Sequence, residues 1–269
     1  MRPLPSAALI LAVLFAGAAA AAERDAGAPA EALRQVEVAG AQFRVTTVGG
    51  RTLPQHELVG AVLAYRDGAQ VISVRIDSVF ADPKDPTGGL LLYGLSTRDP
   101  AGGDWNDMCQ PDADGVRAGF PLQLGSAAGY VLTCTSGAQG KCVRFGYKPW
   151  ARGPDGTALL AHWQACIRMV RADYCGDGEP HTRDGTLIDM YDKLGIQKDE
   201  ASESMEFEAG WGLEGAVCVR RTRIGEIFSL EALRQTCPRL KPEDVGEPCT
   251  EARMMRDPAA LLMNKSFVK

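Results

Sequence analysis

No cysteine precedes Cys109 in this chain of 269 residues, and only three histidines, His56, His162 and His181, occur in the whole of it. The first absence excludes a lipid-modified N-terminal cysteine, and the second leaves few groups able to titrate near neutrality or to bind zinc through imidazole. Basic residues are also in deficit: 29 Lys and Arg stand against 34 Asp and Glu, a net charge of −5. A nucleic-acid partner, which favours a basic face able to displace counterions from phosphates, is therefore not expected. The local cluster Arg220, Arg221 and Arg223 reads as a solvated strand end.

Close pairs of metal ligands are missing too. The nearest cysteines are separated by seven residues in one case and eight in another, whereas zinc takes C-x-x-C or H-x-x-x-H spacing. His56-Glu57 opens like a zinc-protease helix, but Gly60 stands where the second histidine belongs. Gly137-Ala138-Gln139-Gly140-Lys141-Cys142 is a poor phosphate loop, with Cys142 in place of the magnesium-binding Ser or Thr. The alternating ligands of a calcium loop are absent. No metal and no cofactor are expected.

What is present begins with a leader. Arg2, an apolar run over residues 7–15, and the small residues Ala18, Ala20 and Ala22 describe a secretory signal peptide over 1–22, with a retained anchor as the alternative. The apolar run is too short to span a bilayer, and no later stretch is long enough, so the mature chain is expected to lack a membrane span. Export to the periplasm or beyond suits eight cysteines, an even set: Cys109, Cys134, Cys142, Cys166, Cys175, Cys218, Cys237 and Cys249. In an oxidising compartment these support up to four disulfides, with roughly a hundred possible connectivities.

Residues 23–35, rich in alanine with glycine and proline, read as a linker. Alternating or β-branched runs at 36–38, 42–48, 58–65, 71–79 and 90–96 predict an antiparallel β unit over 36–104. The clearest is 71–77, where Ile72, Val74 and Ile76 share one face, and Arg66-Asp67-Gly68-Ala69 before it predicts a hairpin turn. The remaining half, 105–269, holds all the cysteines. Its organising feature is an amphipathic helix over 157–174, capped by Asp155 or Thr157, with Leu159, Trp163, Cys166, Ile167, Val170 and Tyr174 on the buried stripe. His162, Gln164, Arg168 and Arg171 fall on the other side or its margins. The glycines after Cys175 end that helix.

Further along, Phe207, Ala209 and Trp211 alternate with Glu206, Glu208 and Gly210, and residues 216–221 follow as the second arm of a hairpin. Ser229 caps a short helix running to Thr236, and Pro238 prevents its extension. Beyond it only loop is expected, with a last apolar segment near 261–263. The fold class that results is α+β: an N-terminal antiparallel β unit and a disulfide-stapled α+β half around one amphipathic helix.

Several short elements in this half occur together: Gly146-Tyr147-Lys148-Pro149-Trp150, His162 with Cys166, Ala172-Asp173-Tyr174-Cys175-Gly176-Asp177-Gly178, and Asp184-Gly185-Thr186-Leu187-Ile188-Asp189. Gly195-Ile196-Gln197 and Phe207-Glu208-Ala209 with Trp211 follow. Over residues 105–237 the chain resembles the bacterial ADYC-domain family, which implies an exported protein of unassigned activity. The resemblance also favours a helix within 134–150, where the residues themselves leave helix and hairpin open.

Chemistry is sought in the same stretch. His162, Arg168, Asp173, Asp177 and Asp184 make a candidate pocket, in which His162 would be a general base oriented by Asp173 or Asp184. The competing reading is a packed histidine bonded to a backbone carbonyl. His181 reads as an exposed loop residue. Cys166-Ile167-Arg168-Met169 resembles the end of the L,D-transpeptidase motif, although Trp163-Gln164-Ala165 replaces the Ser-His-Gly that precedes the cysteine there. Cys166 on an apolar stripe is better placed for a disulfide than for a thiolate. The expected function is a non-catalytic envelope or extracellular module that binds a ligand or serves as structure. A secreted hydrolase or transpeptidase-like enzyme using His162 or Cys166 is the alternative.

Overall fold

The computed structural model describes residues 32–67, 70–85, 87–98, 102–124 and 130–268. The expected leader over 1–22 and most of the expected linker lie outside these residues, as do the two residues at the tip of the 66–69 turn. The chain divides between Gly140 and Lys141 into two compact units.

The first unit is built from strands. β1 (Leu33–Ala39) and β2 (Gln42–Thr47) form a hairpin, and β3 (Thr52–Leu53) adds to β2. β1 starts inside the stretch read as linker: Leu33 is buried and pairs with Thr47 across a register shift, so a partner strand orders residues whose own β-propensity is low. A second antiparallel sheet contains β4 (Val62–Asp67), β5 (Gln70–Ala81), β6 (Leu91–Arg98), β7 (Asn106–Asp107), β8 (Gly119–Gln123) and β9 (Tyr130–Cys134). Its order is β4-β5-β6-β8-β9, with β7 on β6. β7, β8 and β9 all lie beyond residue 104, yet they pair into the sheet that the earlier strands begin. Val74 and Ile76 are fully buried, as their alternation requires. Phe43 packs edge-on against Tyr93 and Tyr130, at 5.1 and 5.9 Å between ring centroids. The Tyr93 hydroxyl donates to Gln55 Oε1 at 2.6 Å, which leaves no polar atom of that ring unpaired in the core.

α1 (Ala138–Arg144) crosses the division, so the segment left open between hairpin and helix is helical. The second unit then contains α2 (Leu160–Arg171), β10 (Ile188–Asp192), β11 (Met205–Gly212), β12 (Gly215–Val219), α3 (Leu230–Thr236), α4 (Glu251–Arg256) and β13 (Leu262–Phe267). The sheet order is β10-β13-β11-β12, so the last strand of the chain occupies an inner place. α2 packs across β11, β12 and β13. Along β13, Asn264 and Ser266 alternate with Met263 and Lys265, so the two sets face opposite sides of the sheet. On the side of Met263, Met254 of α4 joins Tyr191, Phe207 and Ala260 in an apolar cluster. Gly210 permits that approach, because a Cβ there would lie 2.6 Å from the Met254 side chain.

The expected hairpin is β11-β12, and Ser229 caps α3 by accepting the Ala232 N–H at 3.1 Å. α2 is shorter at both ends than the 157–174 expected. Asp155 does not cap it: its carboxylate accepts the Thr157 N–H and hydroxyl, at 2.9 and 2.8 Å, and closes a turn ahead of the helix. The buried face is also rotated. Leu159, Trp163 and Cys166 are buried, but so are His162, Ala165 and Met169, while Ile167 and Val170 are only half-buried. β10, β13 and α4 fall in stretches read as loop.

Four disulfides use all eight cysteines: Cys109–Cys134 in the first unit, and Cys142–Cys166, Cys175–Cys237 and Cys218–Cys249 in the second. Closing the 62-residue loop between Cys175 and Cys237 removes about 4 kcal/mol of denatured-state entropy, and the 24-residue loop of Cys142–Cys166 about 3.5 kcal/mol. Peptide mapping of unreduced protein should therefore recover these four pairs and no free thiol. A bridge joining Cys109 or Cys134 to any cysteine of the second unit would contradict the fold.

Candidate functional site

The four residues Ala172 to Cys175 form a joint at the end of α2. Ala172 adopts the left-handed conformation at φ 52°, ψ 40°, and its N–H bonds to the carbonyls of Arg168 and Met169. It is the only non-glycine residue with positive φ among the described residues. That conformation costs an L-residue about 1–2 kcal/mol, and it ends the helix at Arg171, three residues before the expected end. The reversal turns Asp173 and Tyr174 into the protein. The Asp173 carboxylate pairs with Arg168 and accepts the N–H groups of Gly176 and Gly178 at 2.9 and 3.1 Å, which holds the following loop. Cys175 ties that loop to the end of α3 through Cys237. Gly176, at φ +77°, sits so close to the β11-β12 turn that a Cβ would meet the Glu214 carbonyl oxygen at 1.8 Å.

Tyr174 reaches furthest inward. Its ring stacks with Trp211 and with His181, at 5.2 and 6.2 Å, and His181 in turn stacks on Phe228 at 3.7 Å. His181 is thus half-buried and held by rings rather than lying exposed in a loop; its N–H bonds to the Arg171 carbonyl at 3.0 Å. The Tyr174 hydroxyl donates to Glu208 Oε1 at 2.9 Å and accepts the Arg223 N–H at 2.7 Å.

Glu208 and Arg223 form the buried charge pair at the centre. Glu208 is wholly buried on β11 and accepts from Tyr174, from Arg223 Nε and Nη2 at 3.1 Å each, from Asn264 at 2.9 Å and from Ser266 at 2.6 Å. Arg223 uses its remaining N–H groups on the carbonyls of Met169 and Val170, at 2.8 and 3.1 Å, and on the Thr182 hydroxyl. A cation thus adds donors to two carbonyls in the last turn of α2, where the carbonyl ends of the peptide dipoles favour positive charge. Burial alone would raise the Glu208 carboxyl, but the Arg223 charge and the hydrogen bonds from Arg223, Ser266 and Asn264 outweigh it and hold the carboxyl below its ordinary value. Burial likewise pulls the guanidinium down, and the Glu208 charge brings it back above its usual value.

Sequence pattern does not anticipate this pair. Glu208 falls on the face of β11 opposite Phe207 and Ala209 in a simple alternation, and Arg223 reads as part of a solvated strand end. A register shift in β11 between Phe207 and Ala209 breaks the two-residue period at that position, and every residue from Phe207 to Gly212 is buried. Opposite charges in adjoining segments, inside otherwise apolar sequence, were the available signal.

The candidate pocket does not assemble as expected. Arg168 and Asp173 are an ion pair, but Asp177 and Asp184 are exposed. Asp177 accepts the Glu179 N–H at 3.0 Å. The turn at Asp184-Gly185 is closed by the Thr186 N–H on the Arg183 carbonyl at 3.2 Å, not by the Asp184 carboxylate. His162 lies on the buried face of α2, 5% exposed, with Nδ1 unbonded and its ring stacked on Tyr147 at 6.3 Å. The carboxylates that act on it are Asp192 and Asp155, rather than Asp173 or Asp184, and burial outweighs both and depresses its pKa. Asp192, from the same acid-rich stretch, accepts the Tyr147 hydroxyl at 2.7 Å and closes its own loop. Cys166 is fully buried in its bridge to Cys142 and has no thiolate to offer. A shallow groove of about 340 Å³ runs elsewhere, past Glu206, Arg220, Glu247 and Glu251. No cluster of three or more His, Cys, Asp or Glu able to hold a metal occurs among the described residues, and no helix there is long and apolar enough to cross a membrane.

The model of the ADYC domain family matches residues 55–225. This chain belongs to the ADYC-domain family. The match starts well before residue 105, where the resemblance was first legible, and takes in all six strands of the second sheet as well as the Tyr174–Glu208–Arg223 cluster. Cys237, Cys249, Asn264 and Ser266, which complete two bridges and the cluster, lie beyond its end. No curated protein and no solved structure matches the chain.

Glu208→Ala leaves a buried guanidinium unpaired and should cost about 3–5 kcal/mol in urea unfolding. Tyr174→Phe removes one donor and one acceptor and should cost about 1–2 kcal/mol. Equal midpoints for either variant and the parent would show that the cluster does not stabilise the unit.

Proposed function

We propose that this ADYC-domain protein is an exported, non-catalytic module of the bacterial envelope or extracellular space that binds a ligand or serves as structure. The observation that carries the reading is the commitment of the motif itself. Ala172 ends a helix, Asp173 holds a loop, Tyr174 enters a buried cluster and Cys175 closes a bridge, so each is spent on the fold. Catalysis by acid and base requires a group that can reach a substrate proton, and neither a wholly buried Glu208 nor His162 offers one. The cysteine route of a transpeptidase-like enzyme requires a free thiolate, and no free cysteine remains.

Export is supported by four disulfides, which persist in oxidising compartments, and by the leader-like residues 1–22. The ligand would be an envelope component rather than nucleic acid, given the acidic balance of the chain.

The full chain, expressed in a bacterial host with its own N-terminus, should reach the periplasm shortened by residues 1–22. The processed protein should then co-sediment with isolated peptidoglycan or outer-membrane fragments without releasing soluble products. Retention in the cytoplasm would overturn export, release of muropeptides would overturn the non-catalytic reading, and failure to sediment with either fraction would overturn ligand binding. A Cys175→Ser variant should lose stability by about 2–4 kcal/mol while its folded fraction sediments as the parent does.

A further inference from the structure

His162 is a buried polar side chain with an unanswered nitrogen. Only 5% of it is exposed, and Nδ1 has no hydrogen-bond partner. A neutral imidazole protonated on Nε2 tolerates that position, since it leaves only a lone pair unbonded. Adding a proton creates a charged donor in the interior with nothing to receive it, a far costlier arrangement.

The nearest acidic groups cannot easily answer. Asp155, in the turn before α2, already accepts from Thr157. Asp192, at the end of β10, accepts four hydrogen bonds: from the N–H groups of Leu194, Ile196 and Gln197, at 2.6, 3.2 and 2.8 Å, and from the Tyr147 hydroxyl at 2.7 Å. That is about the full capacity of a carboxylate. To pair with an imidazolium it would have to release one of them. Tyr147, against whose ring His162 stacks, follows Phe145-Gly146, and the Phe145 carbonyl is itself held by the Gln197 side chain at 2.7 Å. The histidine, the tyrosine and the 192–197 loop are therefore mechanically joined.

We propose that His162 is an acid-sensitive latch: protonation at Nδ1 loosens the Tyr147–Asp192–Gln197 joint and opens the 192–197 loop while the rest of the chain stays folded. This inference stands whether or not the envelope reading holds. Because burial keeps the folded imidazole below the ordinary value of 6.5, the unfolded or opened form binds the proton more tightly. The joint is then fully closed above about pH 6.5 and weakens as pH falls from there through the folded pKa. His181, also depressed by burial with Asp177, Asp173 and Glu179 opposing, is bonded to the Arg171 carbonyl at the C-terminal end of α2 and serves as the control.

The test is site-resolved amide exchange of the full chain between about pH 7.5 and about pH 5, corrected for intrinsic rates. In the parent and in His181→Gln, protection at Leu194, Ile196 and Gln197 should fall by more than about two-fold. His162→Gln should abolish that fall. An equal fall in His162→Gln would overturn the proposal. Should that variant not fold, the imidazole titration of His162 in the folded parent decides: a midpoint below 6.5 that coincides with loop opening supports the latch, and a midpoint at or above 6.5 overturns it.

Discussion

The ion pair between Glu208 and Arg223 is the constraint on which the second unit depends. Two charges taken from water are expensive, and their mutual attraction offsets the cost only where every remaining donor and acceptor is satisfied. Here that condition is met by parts distant in sequence: the end of α2, the residue Tyr174, and Asn264 and Ser266 of the final strand. The pair specifies as well as stabilises. A register that turned Ser266 outward, or a helix that continued past Arg171, would strand a charge in the interior.

That requirement explains the left-handed Ala172. A helix carried on through Tyr174 would direct its hydroxyl away from Glu208, so the fold accepts local backbone strain to bring the ring under the sheet. Asp173 and the Cys175–Cys237 bridge then keep the reversed chain in place. The Asp192 loop repeats the device on a smaller scale, with one carboxylate gathering three backbone N–H groups and a buried tyrosine hydroxyl. In both places a residue type that often does chemistry is occupied in holding a loop shut.

Much of this was legible from sequence where the cause is local. The alternation of Val74 and Ile76, the cap at Ser229, the hairpin of β11 and β12 and the oxidised cysteines all follow from short-range pattern or from composition. What was not legible arises from partners far away. β13 reads poorly as a strand because Asn264 and Ser266 point inward, a polarity that makes sense only once Glu208 is known to lie opposite. β10 sits among acidic residues and is ordered by pairing with β13, some seventy residues later. His162 falls at the margin of the apolar stripe read from spacing, and the rotation of the buried face of α2 brings it inside. Of the five residues grouped by proximity in sequence, Arg168 and Asp173 meet as an ion pair, because proximity along a loop does not set which way its side chains turn.

The central claim is that Tyr174 and Glu208 act as one unit, so that the family motif and the buried pair are energetically joined. A double-mutant cycle with Tyr174→Phe and Glu208→Gln, read by urea unfolding, measures this most directly. The account predicts a coupling of about 0.5–3 kcal/mol between the two sites. Strictly additive losses would contradict it and would make the motif and the ion pair independent features of the fold.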